Sequence, residues 1–318
     1  MTVTPVLRFV DVHRHFGRQS VLRGLTFDVA PGQVYAFLGR NGAGKTTALR
    51  ILMGFLAPHA GRAEVLGVDS ATMPAAHRAR IGYVGEGHRL YATMRVADAI
   101  AFEAGTRPTF RRSFADAAVE RCGLRRGQIV GLLSRGQRAQ LSLVLALASN
   151  PELLVFDDPA MGLDVVMRRM FLDAMIELLA DTGTSVLFSS HILTDVERIA
   201  DRVGILHDGA MLVDATLDDL KQRVVRVDWT SDGERGDDVL ARLDADPRVL
   251  RVGRRREGVD LTLLDADATW LAALRAAGRL GTPVVPSLED LFLDLTGPRQ
   301  PGALADVAQL LASTGDAS

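Results

Sequence analysis

The chain has 318 residues, of which 47% are apolar and 24% charged, and a formal net charge of −2. This length suggests about two domains and a core large enough to stand without disulfides or structural metals, and the near-neutral charge favours neither nucleic acid nor anionic lipid as a bulk partner. The one cysteine, Cys122, excludes an internal disulfide, fits a reducing compartment and reads as a small buried apolar residue.

Residues 6–12, 21–29 and 33–38 read as short β-branched strands broken by Gly and Pro turns. The third runs into Gly39, and a helix is expected from about Gly44 to Phe55. A short strand is expected at 81–84. From about 88 to 148 the texture is helical, as in an inserted subdomain. A strand at 152–157, a helix near 165–180, a strand at 184–189, a short helix at 192–200 and strands at 202–206 and 210–213 follow. Alternating strands and helices predict a mainly parallel sheet.

The composition shifts near residue 221. Beyond the polar turn at 232–238, strands at 248–252 and 259–264, a helix near 267–278, a strand at 283–285 and a helix at 287–295 predict a small α/β unit over 222–297. Residues 298–318 form a tail with room for one helix. The basic run Arg254, Arg255 and Arg256 has acids close by and reads as an exposed turn rather than a nucleic-acid patch. The N-terminus carries no signal pattern, and no charge-free apolar run reaches about 18 residues. The expectation is a chain that does not span a bilayer and meets a membrane only by docking on another protein.

Chemistry concentrates in two places. The run Gly39, Arg40, Asn41, Gly42, Ala43, Gly44, Lys45, Thr46, Thr47 fits G-x-x-x-x-G-K-[ST] between a strand and a helix. Its glycines let backbone N–H groups close on phosphate oxygens, and the following helix aims its positive end at the same charge. Lys45 would reach the β- and γ-phosphates of ATP, and the Thr46 hydroxyl would hold Mg2+. The second place is 153–158, where an apolar strand carries Asp157 to the carboxyl end of a sheet, placed to hold Mg2+ through water.

With three further stretches these motifs make the chain resemble the ATP-binding cassette (ABC) ATPases. Residues 133–137, LSRGQ, look like the family's signature, with Arg135 departing from its usual small residue. Residues 162–164, GLD, look like the loop that crosses the dimer interface, and 189–191, SSH, like the switch histidine. The resemblance covers about residues 4 to 220. It implies an α/β P-loop NTPase fold over residues 1–221, with an N-terminal antiparallel β subdomain and a helical subdomain at about 88–148. Residues 222–297 would form a small C-terminal α/β accessory domain, for which PSLEDLFL at 286–293 is similar to the exporter branch of the family. It further implies two nucleotide domains, the second a copy of this chain or a homologous ATPase subunit, with ATP sandwiched between them. Ser134, Gly136 and Gln137 would then contact the γ-phosphate held at the partner's Lys45. Phe16 stands where the family stacks an aromatic on adenine, a core phenylalanine being the other reading. His191 would bond the γ-phosphate and hold the attacking water.

Two further positions depart from the family pattern. Asp158 stands where the carboxylate that positions or activates the water is usually glutamate. One methylene less is about 1.5 Å of reach, and a misplacement of about 1 Å costs on the order of 100-fold, so hydrolysis is expected to survive but to be slow. Glu86 stands where many members carry glutamine, and it could ligate Mg2+ as well as face the water. After it, Leu90, Tyr91 and Met94 are apolar candidates for contact with an integral membrane transporter subunit, or else for ordinary packing of the helical subdomain. The expected function is an ATPase subunit that dimerises on ATP and drives export through a separate membrane protein from the cytoplasmic side, with no nucleic acid expected. A soluble ABC ATPase acting on DNA or ribosomes and a weakly hydrolysing regulatory cassette are the alternatives.

Overall fold

The computed structural model describes residues 4–161, 163–231, 243, 246, 248–255 and 258–297. It divides into two compact units, the first from Met1–Ala200 with Asp208–Ala210, the second from Asp201–His207 and the chain from Met211 on. The composition shift near residue 221 lies later in the chain than this division.

In the first unit β1 (Leu7–Phe16), β2 (Gln19–Val29), β4 (Ala60–Val65) and β5 (Val68–Asp69) form an antiparallel sheet in the order β2-β1-β4-β5. β4 and β5 have no counterpart in the sequence reading. The segment AGRAEV lacks a β-branched run and takes its strand form from its partner, with Leu7 opposite Val65 and Phe9 opposite Ala63. This is the usual weakness of strand propensity, which measures fit to a neighbour more than a preference of the backbone.

β3 (Val34–Gly39), β6 (Ile81–Val84), β7 (Leu153–Asp157) and β8 (Ser185–Ser189) run parallel in the order β3-β8-β7-β6. Every residue of β3, β7 and β8 is buried. Such strands read as near-continuous apolar runs because both faces are covered. The register sets Phe37 and Asp157 on either side of Ser189, so β7 and β8 finish level and β3 runs on to Gly39 beside them. Ligands of open α/β sheets bind at that edge.

α1 (Lys45–Leu52) follows β3, and α2 (Ala75–Arg78) is a single turn behind Pro74. α3 (Val96–Thr106), α4 (Arg112–Arg121) and α5 (Arg135–Ala148) build the helical subdomain around Val96, Ile100, Val119, Leu141 and Val144. Leu90 and Met94 pack against this core, as does half-buried Cys122, whose thiol burial pushes up. Packing thus accounts for Leu90 and Met94. Tyr91 stays 64% exposed, edge-on to the ring of exposed Phe102. α6 (Val165–Thr182) and α7 (Leu193–Ile199) flank β8 in sequence.

In the second unit β9 (Arg202–His207) and β10 (Ala210–Thr216) are neighbouring strands, and α8 (Leu217–Arg223) starts at Thr216, whose hydroxyl caps the Asp219 N–H. β11 (Val224–Ser231), β12 (Val249–Arg254), β13 (Val259–Leu264) and β14 (Gly278–Leu280) form an antiparallel sheet in the order β12-β13-β11-β14. α9 (Ala268–Ala277) and α10 (Leu288–Thr296) complete it. β11 was not expected from the sequence, and the strand expected at 283–285 is reduced to one bridge between Val284 and Arg226. The core centres on Trp229, whose indole N–H donates to the Leu274 carbonyl at 3.0 Å. Buried Asp294 accepts from Arg226, Arg251 and Thr262, each at 2.5 Å. In the basic run, Arg255 pairs with Asp228 and Asp260, while Arg256 lies outside the described residues. Among the described residues no helix is long and apolar enough to cross a membrane.

Candidate active site

The phosphate loop is built where β3 stops. Gly42 at φ 84° and Gly44 at φ 112° sit in the left-handed region, which a side chain would strain. Gly44 is the N-cap of α1 and brings no side-chain cap, so the first N–H groups of the helix have no side chain in front of them. Arg40, Asn41 and Gly42 are exposed at the crest, Ala43 and Gly44 are buried, and Lys45, Thr46 and Thr47 lie half-buried behind them. The Lys45 ammonium bends back onto the Gly39 carbonyl at 2.5 Å and the Arg40 carbonyl at 3.4 Å. Burial lowers its pKa, with Asp158 and Asp157 partly offsetting that effect. Both aspartates therefore lie close enough to act on the lysine.

The acidic residues arrive from β7. Asp157 Oδ1 accepts from the Thr46 hydroxyl at 3.2 Å and from the Ser189 hydroxyl at 3.1 Å. Burial raises its pKa. The two hydroxyls lower it, and the nearby carboxylates Glu86 and Asp158 raise it further. Asp158 follows at φ 51°, and its backbone N–H donates to Ser189 Oγ at 2.9 Å. Its Oδ2 faces His191 Nδ1 at 2.7 Å, which assigns the imidazole proton to Nδ1. The other oxygen, Oδ1, is buried and accepts no hydrogen bond among the described residues. Glu86 is exposed in the turn after β6.

The structure thus brings Lys45, Thr46, Asp157, Asp158 and His191 together, with Glu86 at the edge. The signature residues make a separate group. Ser134 caps α5 in a reciprocal box: its hydroxyl accepts the Gln137 N–H at 3.2 Å, and its own N–H donates to Gln137 Oε1 at 3.0 Å. Gly136 lies against Met167, where an added Cβ would come within 3.0 Å of Met167 Cε. Asp164 accepts the Met167 N–H at 2.8 Å, and Gly162 lies outside the described residues. Phe16 is 48% exposed, so it is not a core residue, and the Arg14 guanidinium stands 4.8 Å from its ring centre.

One residue of the site had no role in the sequence reading beyond its motif. Ser189 joins both aspartates, and only the β7–β8 register reveals it.

A family model described as ABC transporter matches residues 22–161. The bacitracin transport ATP-binding protein BcrA of Bacillus licheniformis is 31% identical over 223 residues, 70% of this chain and 73% of that protein. The chain belongs to the ABC transporter ATP-binding proteins. This cassette also resembles the Nod factor export ATP-binding protein I of Burkholderia lata, at 30% identity over 93% of this chain and 98% of the relative. A solved ATP-binding subunit of an ABC transporter matches with a TM-score of 0.63 at 28% identity, covering 68% of this chain and 92% of that one. A dimeric bacterial ABC transporter cassette shares the fold, with a TM-score of 0.60 at 20% identity over 66% of this chain and 98% of its own. The chain is an ATP-binding ATPase subunit of a transporter.

Proposed function

We propose that this cassette is the ATP-driven motor of an exporter. It closes on a second cassette around ATP and passes the motion to a separate integral membrane subunit at the cytoplasmic face. The observation that carries the reading is the junction of the phosphate loop with the carboxyl ends of β7 and β8, where Lys45, Thr46, Asp157, Asp158 and His191 converge. Among the relatives, one serves bacitracin transport and one Nod factor export, and the second supports export as the direction.

Mg2+ fits the residues present. The carboxylates of Glu86 and Asp158 stand close enough to push Asp157 further up, a repulsion that a hard dication would relieve. Among the described residues no group of three or more His, Cys, Asp or Glu could hold a metal by itself. This suits an ion held by one or two carboxylates and a hydroxyl and shared with phosphates. Thr46, Asp157 and Glu86 would hold it, and bound there it would neutralise charge developing on the phosphoryl group.

The chain's own residues would divide the remaining work. The backbone from Gly39 to Thr47 cradles the phosphates, and Lys45 leaves the loop carbonyls for the stronger phosphate acceptor. Asp158 Oδ1, buried and without a donor among the described residues, would accept from a water aimed at the γ-phosphate. His191, holding Oδ2 through Nδ1, keeps Nε2 for the phosphate side. Phe16 presents an exposed ring for the base. Ser134, Gly136 and Gln137 would serve the partner's nucleotide.

The sandwich has a surface to form on. Met161, Val165, Val166 and Met170 are all exposed around Asp164, a run of large apolar residues at the start of α6. Light scattering on Asp158→Asn, which should bind ATP without consuming it, tests the closure. A doubling of mass with Mg-ATP and none with Mg-ADP is expected, and a monomer in both would overturn the dimer reading.

A further inference from the structure

We propose that Ser189 is a positioning residue for hydrolysis: one hydroxyl ties the Asp157 carboxylate to the Asp158 backbone and so fixes where Asp158 points. It rests on the reading of Asp158 as the water-side carboxylate and goes beyond it by naming what holds that group in place.

The geometry is specific. Ser189 is fully buried at the last position of β8, directly opposite Asp157 in the parallel register. Its hydroxyl donates to Asp157 Oδ1 at 3.1 Å and accepts the Asp158 N–H at 2.9 Å. A hydroxyl can do both at once, because it has one proton and two lone pairs. Alanine or valine can do neither.

Asp158 needs such a partner. Its φ of 51° lies in the left-handed region, which costs a non-glycine residue and persists only where the surroundings impose it. The N–H bond to Ser189 holds the backbone in that conformation. The carboxylate is held two residues further along the same chain segment, by His191 Nδ1. Asp158 is therefore gripped at both ends by the segment that closes β8, and its free oxygen is left with one direction. An aspartate has one side-chain torsion fewer than a glutamate with which to correct a misplaced backbone. For this chain the placement of the main chain decides the reach.

Ser189 is not a catalytic residue here, since it faces the two aspartates rather than the phosphate. Its loss should leave nucleotide affinity nearly intact and lower turnover. Because a displacement of about 1 Å costs on the order of 100-fold, a loss of about 10- to 100-fold in kcat is expected for Ser189→Ala, with KM for ATP within about twofold.

The test is a set of full-length variants assayed for phosphate release and for binding of a fluorescent ATP analogue with Mg2+, each checked for a wild-type melting transition. Ser189→Thr keeps the hydroxyl and should recover most of the turnover; Ser189→Val has nearly the same shape without it and should not. In the decisive comparison, Ser189→Ala is added to Asp158→Asn. If Ser189 acts through Asp158, the double variant is no slower than Asp158→Asn alone. Equal turnover of Ser189→Ala and wild type would overturn the proposal, as would Val matching Thr, or a further loss in the double variant. A Ser189→Ala protein that loses analogue binding in proportion to turnover would also overturn it, by assigning the hydroxyl to binding. Asp158→Asn alone tests the underlying reading: wild-type turnover there would sink the role of Asp158 itself.

Discussion

Two buried aspartate sites in this protein are built on opposite principles. Asp294 in the second unit is 1% exposed, and its carboxylate is met by two guanidinium groups and a hydroxyl. The carboxylates of Asp157 and Asp158 in the first unit are met by two hydroxyls and one imidazole, while Lys45 turns to loop carbonyls. The carboxylate of Asp157 is pushed up by burial and by its neighbours, and Asp158 Oδ1 has no donor among the described residues. A satisfied buried charge serves the fold. An unsatisfied one costs about 1–3 kcal/mol, and a chain keeps it where a substrate or ion is to complete the set. The difference separates a structural knot from a working site without reference to any relative.

The contrast can be broken from the structural side first. Asp294→Ala leaves the half-buried Arg226 without its buried partner. Breaking such a pair costs about 3–5 kcal/mol, so calorimetry should show a markedly lower transition for the variant. A wild-type transition would mean that Asp294 is not the anchor of its sheet. Asp158→Asn should behave in the opposite sense and melt at or above the wild-type temperature, because it removes a half-buried carboxylate that is incompletely paired.

A smaller effect is expected at Asp246. Bonds from the Arg248 guanidinium, and then the Trp270 indole, hold its carboxyl at about 2. A depressed carboxyl stabilises the folded state above its unfolded pKa, and that stability fades as pH falls through the folded value. Asp246→Asn should therefore be less stable than wild type at neutral pH, by about 1 kcal/mol or less for so accessible a pair. The gap should narrow between about pH 4 and pH 2. Acid titration of both melting curves checks this, and a gap that widens toward low pH would contradict the assignment.

The parts of this molecule that were legible in the sequence are those whose chemistry is local. The run from Gly39 to Thr47 declares itself because glycine is needed at the positions of positive φ and lysine and threonine must follow at once. β3, β7 and β8 declare themselves because burial on both faces leaves mostly apolar residues. Long-range pairing hides the rest. β4 has weak strand propensity and exists by pairing with β1. β14 replaces a strand expected a few residues later, because Gly278 and Leu280 meet Ser231 and Trp229. Within the site, Lys45, Asp157 and His191 could be named from motifs. The function of Ser189 depends on a bond between residues 31 positions apart, which only the register of two parallel strands defines.

The central claim is that the edge where β7 and β8 end beside the phosphate loop hydrolyses ATP, with Asp158 as the carboxylate on the water. Phosphate release at saturating Mg-ATP, wild type against Asp158→Asn, tests it most directly. The wild type should turn over, and the variant should bind ATP with near wild-type affinity while losing roughly 100- to 10,000-fold in kcat. Equal rates for the two proteins would contradict it.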